Sequence, residues 1–183
     1  MIQKIANKIV HITAKWRFPV IRNYHEDKII GFTFDNILSG DIILTYKKGE
    51  FSNIYTNLFG DFWKHASIVI NKHTAVEAVA PRVKYKRIDS LLLQSDHFCV
   101  LRVKDLTVQE SEVMVDIAHS LIRTPYDFSF DVKDVGEVYC SELIYHCIKD
   151  IRKVTLKKRL GVLSFSPQDI YNAKDMFKEI IRT

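Results

Sequence analysis

An α+β fold is predicted by three features of the 183-residue sequence. Short apolar runs bounded by turn residues fill the middle of the chain, and segments of helical period follow beyond Thr107. Between two of those runs, Asn71-Lys72-His73-Thr74 reads as a hairpin turn, which makes the two strands it joins antiparallel. The length suits one domain with one sizeable core, and 6 Gly and 4 Pro are too few for long disordered stretches.

The elements follow in order. Residues 1 to 12 suggest a helix, with Ile2, Ile5 and Ile9 as its apolar stripe. Asn36 to Gly40 is a turn into a first strand at Asp41 to Tyr46. Lys47 to Gly60 alternates polar and aromatic residues and reads as a loop with a short helix. Ala66 to Ile70 and Ala75 to Ala80 form the hairpin, Val83 to Ile88 extends it, and Phe98 to Val103 is a further strand after Leu91-Leu92-Leu93, giving four or five strands. Thr107-Val108-Gln109-Glu110 has capping-box spacing, and Val113, Ile117, Leu121 and Ile122 form the stripe of a helix ending near Thr124-Pro125. Tyr126-Asp127-Phe128 then forms an ordered loop or short strand. Cys140 to Ile151 is the next helix, with Leu143, Ile144, Cys147, Ile148 and Ile151 on its buried face. Ser166-Pro167 marks another helix start, serine at the cap and proline at the first helical position.

Composition narrows the function classes. Three cysteines cannot all pair within the chain, and Cys140 and Cys147 lie two turns apart on one helix, so a reducing compartment is the simpler setting. No Cys-x-x-Cys or His-Glu-x-x-His spacing occurs, and the expectation is no metal and no cofactor. The net charge of +5 is concentrated in two places. Lys4, Lys8, Lys15, Arg17 and Arg22 precede the first acidic residue, Glu26, and this N-terminus is a candidate contact for anionic lipid, although a stripe packed on the domain is the ordinary use of such a pattern. It has neither the apolar core and cleavage site of a secretory signal nor the length of a membrane span, so the expected location is cytoplasmic or membrane-peripheral. The second cluster, Lys149, Arg152, Lys153, Lys157, Lys158 and Arg159, reads as solvated surface. Without aromatic stacking platforms or a recognised motif, nucleic-acid binding is not expected.

Chemistry concentrates at Tyr139-Cys140-Ser141-Glu142-Leu143, where a cysteine opens an apolar helix. The thiolate is the nucleophilic form of cysteine, and a helix N-terminus or an imidazolium favours it. His65 heads the strand His65-Ala66-Ser67-Ile68-Val69-Ile70, and Glu77 lies twelve positions later. A hairpin can therefore set its carboxylate beside the imidazole. Cys140, His65 and Glu77 are accordingly the candidate nucleophile, base and orienting carboxylate. Each has a plainer alternative: a small core residue for Cys140, a strand-end hydrogen-bonding residue for His65, a water-facing edge glutamate for Glu77. His73 competes with Glu77 as the orienter but falls in the hairpin turn. Cys99 and Cys147 sit in apolar periodic stretches and read as core. Glu142 suits a structural role at the helix start, and Asp127 could buttress its loop. The backbone N–H of Cys140 is the natural oxyanion donor, with the hydroxyls of Tyr139 or Tyr126 as candidate helpers.

Taken in order, these parts resemble the circularly permuted branch of the NlpC-type papain-like hydrolases, and most closely its YiiX-like members. Gly40-Asp41-Ile42-Ile43 is similar to the family's opening Gly-Asp strand, and Lys64-His65-Ala66-Ser67-Ile68-Val69 to its histidine strand, with Glu77-Ala78 as the polar third residue. Thr124-Pro125-Tyr126-Asp127-Phe128 and Tyr139-Cys140-Ser141-Glu142-Leu143 resemble the segments before and around the nucleophile, and Ser166-Pro167-Gln168-Asp169 the C-terminal signature. His65 precedes Cys140, the reverse of ordinary papain-like enzymes, as in the permuted group that includes the lecithin-retinol acyltransferase-like enzymes. The resemblance implies a helix carrying Cys140 packed on an antiparallel sheet carrying His65 and Glu77. It covers roughly the permuted papain-like hydrolase core (40–170); residues 1–39, an N-terminal helical extension, match none of its parts, and with a C-terminal segment (171–183) the whole of 1–183 is expected to form a single domain.

Three functions follow from these residues. The first is a cysteine hydrolase forming an acyl-enzyme on Cys140, an amidase or peptidase acting on a cell-wall peptide or an N-acyl or lipid substrate, with lipid acyltransfer or thioester cleavage as its variants. The second is a noncatalytic peptide- or lipid-binding module on the same fold. The third is a membrane-associated structural protein organised by the N-terminal helix.

Overall fold

The computed structural model describes residues 36–48, 60–133 and 136–183, and from Ile37 onward these belong to one compact unit. The helix and basic stripe read near the N-terminus, and most of the Lys47 to Gly60 loop, lie outside the described residues. The elements run β1 (Ile42–Tyr46), β2 (His65–Asn71), β3 (Thr74–Val79), β4 (Arg82–Arg87), α1 (Ile88–Leu93), β5 (His97–Val103), α2 (Val108–Ser120), α3 (Cys140–Ile148), β6 (Lys157–Arg159), β7 (Val162–Ser164), α4 (Pro167–Asn172) and β8 (Phe177–Arg182). The larger sheet has six strands in the order β4-β3-β2-β1-β5-β8, each pair antiparallel; β6 and β7 form a separate hairpin. This is the α+β architecture expected from the sequence.

Alternation along the strands decides which side chains meet the helices. Ala66, Ile68 and Ile70 of β2, Val76 and Ala78 of β3 and Val83 of β4 join Leu143, Ile144, Cys147 and Ile148 of α3 and Met114 and Ala118 of α2 in one buried cluster. On the alternate positions lie His65 and Ser67, then Glu77, then Lys84 and Lys86. Ser67 pairs with Glu77, and Glu77 with Lys84, across the ladder. His65 and Glu77 are thus diagonal cross-strand neighbours, near enough for long side chains to touch.

Several expectations are adjusted by the structure. The unassigned Leu91-Leu92-Leu93 segment is the end of the helix α1, from which Leu91 and Leu92 are buried. Along α2 and just past its end, Ile117, Leu121 and Ile122 pack partly buried against the core as expected, Met114 and Ala118 are its fully buried members, and Val113 is turned to solvent. Its cap is as read: Thr107 Oγ1 accepts from Glu110 N (3.2 Å) and Glu110 Oε2 from Thr107 N (2.9 Å). The sheet gains β8, which borders β5 with an exposure pattern too mixed to show period two. The second basic cluster is not merely solvated. Arg152 pairs with Glu110 at 2.8 Å, and Lys157 and Arg159 both reach the largely buried Asp169 at 2.6 Å.

The Gly40-Asp41 pair acquires a physical reason. Gly40 sits at φ +85°, a conformation that strains any other residue, and a Cβ there would lie tightly, 3.0 Å from Ser111 Oγ and 3.2 Å from a Leu106 methyl. Asp41 is fully buried and takes a two-pronged bond from Arg102 of β5, Nε to Oδ1 at 2.7 Å and Nη2 to Oδ2 at 2.8 Å. Its Oδ2 also accepts from Leu38 N at 2.9 Å. Removing one member of such a pair strands the other charge. Asp41→Ala should therefore lower unfolding free energy by about 3 kcal/mol, read from urea denaturation, whereas a loss below 1 kcal/mol would show the pair to be incidental.

Candidate active site

Cys140 is the first residue of α3, and the helix is held at this point from both sides. Behind it, Leu143, Ile144, Cys147 and Ile148 are buried against the sheet, each contributing roughly 1.5–3 kcal/mol of gross apolar burial. Ahead of it, the chain is tied down by Val138 N donating to Pro125 O (2.9 Å) and by Glu142 Oε2 accepting from Tyr139 N (3.2 Å). Glu142 is thus the structural capping residue anticipated from its position.

The imidazole of His65 lies between a carboxylate and the thiol. Its Nε2 is 3.0 Å from Glu77 Oε2, and Cys140 is the ring's second hydrogen-bonding partner. Both His65 and Glu77 have little exposed side chain, and Lys84 Nζ lies 3.8 Å from the other oxygen of Glu77. The sequence-derived trio is therefore brought together in space, with Cys140 and Glu77 both in contact with one ring.

Electrostatics follow from that contact. Burial opposes charge on His65, but the hydrogen bonds to Cys140 and Glu77 and their negative charge outweigh it and raise the imidazole pKa to about 10. Burial likewise opposes a thiolate at Cys140. The hydrogen bond and charge of His65, with backbone N–H groups of Ala66 and Ser141, more than offset it and hold the thiol below its ordinary value. Glu77 is also drawn down against its burial, by His65 first and then by Lys86 and Lys84. The other two thiols behave oppositely: burial raises Cys99 to about 12, and burial raises Cys147 as well.

Cys140, His65 and Glu77 border a cavity of about 420 Å³. Of the two tyrosines put forward as helpers, Tyr126 lines it. Tyr139 does not sit there: it is buried and its hydroxyl accepts from Phe165 N at 3.0 Å, so that group is engaged in the core. Tyr126 is aimed by its own segment, where Tyr126 N donates to Pro81 O (3.0 Å) and Val83 N to Thr124 O (2.9 Å). The fully buried Asp127 accepts from Ser129 N at 2.6 Å and turns the chain after it, the loop buttress expected of it. Reasoning along the sequence passed over Phe128, Phe130, Lys47, Lys84 and Lys86, which also line the cavity. The alternation of Lys84 and Lys86 about Tyr85 was the available sign that both lysines share a face.

The C-terminal signature supports the site from outside it. Ser166 and Asp169 form a reciprocal cap at the start of α4, with Ser166 Oγ accepting from Asp169 N (3.1 Å) and Asp169 Oδ2 from Ser166 N (2.9 Å). Gln168 Oε1 accepts from the backbone N–H of Phe62 (3.1 Å) and Trp63 (3.3 Å), just before His65.

A family model described as permuted papain-like amidase enzyme, YaeF/YiiX, C92 family, matches residues 36–180. Among solved structures, the chain is similar to one titled as the metalloprotein YiiX from Escherichia coli O157:H7, with a TM-score of 0.67 and 20% identity over 81% of this chain and 98% of that one. At that identity the likeness shows a shared fold. No curated protein matches the sequence. Among the described residues no three His, Cys, Asp or Glu side chains converge to hold a metal ion, and none of the chemistry below runs through one. No helix among the described residues is long and apolar enough to cross a membrane.

The contrast between the thiols yields a direct measurement. A mild alkylating reagent at pH 7 should modify Cys140 in the native protein and leave Cys99 and Cys147 unmodified, as read by peptide mass spectrometry. His65→Ala should move the midpoint of the Cys140 rate–pH curve upward. An unchanged midpoint would separate the thiol from the imidazole.

Proposed function

The chain belongs to the permuted papain-like amidases of the YaeF/YiiX, C92 family, and so is a thiol hydrolase; within that family we propose that it cleaves an amide bond through an acyl-enzyme on Cys140. The observation that carries this reading is the single imidazole shared between the Cys140 thiol and the Glu77 carboxylate at the edge of a cavity.

In this mechanism the Cys140 sulfur attacks the carbonyl carbon and forms a C–S bond while the carbonyl electron pair moves to oxygen. The backbone N–H of Cys140, at a helix terminus without an intrahelical partner, donates to that oxyanion. Collapse breaks the C–N bond as His65 gives its proton to the departing nitrogen, leaving a thioester. A water molecule then loses a proton to His65, attacks the thioester carbon and releases the acid, and the thiolate returns. Glu77 holds the ring so that its other nitrogen faces sulfur and stabilises the imidazolium in both halves of the cycle. Transfer to an alcohol or amine, or cleavage of a thioester, would use the same intermediate. A peptide, N-acyl or lipid substrate and peripheral contact with a membrane through the basic N-terminus are further parts of this proposal.

Turnover of an acyl amide should vanish in Cys140→Ala, and Glu77→Gln should lower kcat by about 10²-fold with KM little changed. Wild-type activity comparable to that of Cys140→Ala would end the proposal. The pH profile follows from the paired shifts. A raised histidine is protonated below its pKa, so the imidazolium persists through neutrality and is lost as pH rises through about 10, while the lowered Cys140 sets the acid limb below the ordinary thiol value. The expected kcat/KM profile thus has its alkaline limb near pH 10 and its acid limb below the ordinary thiol value. A single rise centred near the free-thiol pKa of ~8.5 would contradict it.

A further inference from the structure

The cavity beside Cys140 is lined by two kinds of side chain. One is aromatic: Tyr126, Phe128 and Phe130, with the Tyr126 ring 5.0 Å from Phe128 and 6.5 Å from Phe130 in edge-on contact. Phe128 is 69% exposed, a large apolar ring kept in water at the rim of the cavity. It is presented there because its neighbour Asp127 is buried and bonded into the turn. The other is cationic: Lys84 and Lys86 of β4, with Lys47 just beyond β1.

Among the described lining residues, Lys84 and Lys86 of β4 stand with one carboxylate, Glu77. That carboxylate is already committed, since Oε2 belongs to His65 and Lys84 stands 3.8 Å from Oε1. Lys86 donates to a neutral acceptor, Gln94 Oε1, at 2.9 Å. Cys140 and His65 charged as an ion pair cancel one another and leave the excess unchanged. The cavity lining therefore combines positive charge from β4 with an aromatic surface.

We propose that this cavity selects an amphiphilic anion, a substrate whose apolar arm lies along Tyr126, Phe128 and Phe130 and whose carboxylate or phosphate is met by Lys84 and Lys86, with the scissile carbonyl between them at Cys140. The inference rests on the cavity being the substrate site of the proposed amide hydrolase. Lysines also blunt exposed edge strands, and β4 is an edge of the sheet, so binding must separate the two roles.

The experiment uses Cys140→Ala protein, which binds without turnover, and calorimetric titration with N-dodecanoylglycine, its methyl ester and dodecyl phosphate below their micelle concentrations. With a charge-assisted contact to Lys84 and Lys86, at least one of the anions should bind tenfold or more tighter than the ester. That preference should shrink in high salt and disappear in Cys140→Ala/Lys84→Gln/Lys86→Gln. The tighter of the two anions assigns the head group as carboxylate or phosphate. Equal affinity for acid, phosphate and ester, or a preference that survives both lysine replacements, overturns the inference. A preserved charge preference in a wild-type protein that cleaves no acyl amide would count against the hydrolase reading alone, and amide cleavage indifferent to substrate charge would count against this inference alone.

Discussion

The site depends on the burial of one face of α3 against β2. Nothing local joins residue 140 to residue 65; they meet because Leu143, Ile144, Cys147 and Ile148 leave water by packing on Ala66, Ile68 and Ile70. That contact fixes how far α3 lies from the sheet and so where its first residue falls. Closer to the site, ordinary hydrogen bonds refine the position: Pro125 holds Val138, Glu142 holds Tyr139, and Gln168 holds the backbone that leads into His65. The side chains with chemistry stand at the ends of elements, and the middles of those elements supply the rigidity.

Charge at the centre exists through mutual support. A lone imidazolium or a lone thiolate would be strongly disfavoured at this depth, and burial is the largest influence on each of them. Adjacent, each supplies the counter-charge the other lacks, and Glu77 with its lysine neighbours biases the ring toward protonation. Cys99 and Cys147 show what the same residue does when burial has no such opponent. The separation of the three thiols read from their places in the chain has its physical basis in the imidazole beside Cys140.

Much of this was legible in the sequence where local rules apply. The hairpin between β2 and β3, the Thr107 and Ser166 caps and the helix beginning at Cys140 all follow from short-range patterns, and the twelve-residue spacing of His65 and Glu77 matched a hairpin that sets them diagonally across two strands. What escaped was set by tertiary partners. β8 reads as irregular because its pairing with β5, not its own pattern, makes it a strand. The α2 stripe was drawn through Val113 because β-branched residues stand out, whereas packing selected Met114 and Ala118. Lys157 and Arg159 look like solvated charge until Asp169 is placed beneath them. The Tyr139 hydroxyl was read as pointing toward chemistry because of its neighbour in sequence, but an N-cap side chain leaves the helix in its own direction, here toward Phe165.

The order of parts along the chain has a bearing on biosynthesis. A ribosome delivers β2 and β3, with the imidazole and carboxylate, well before it has made Cys140. The emerging sheet therefore carries the imidazole and carboxylate without Cys140, and the proposed site is complete when α3 seats itself on strands already translated. In an unpermuted relative the thiol comes first and must wait for its partner. Here the proposed nucleophile is the last of the three side chains to be made.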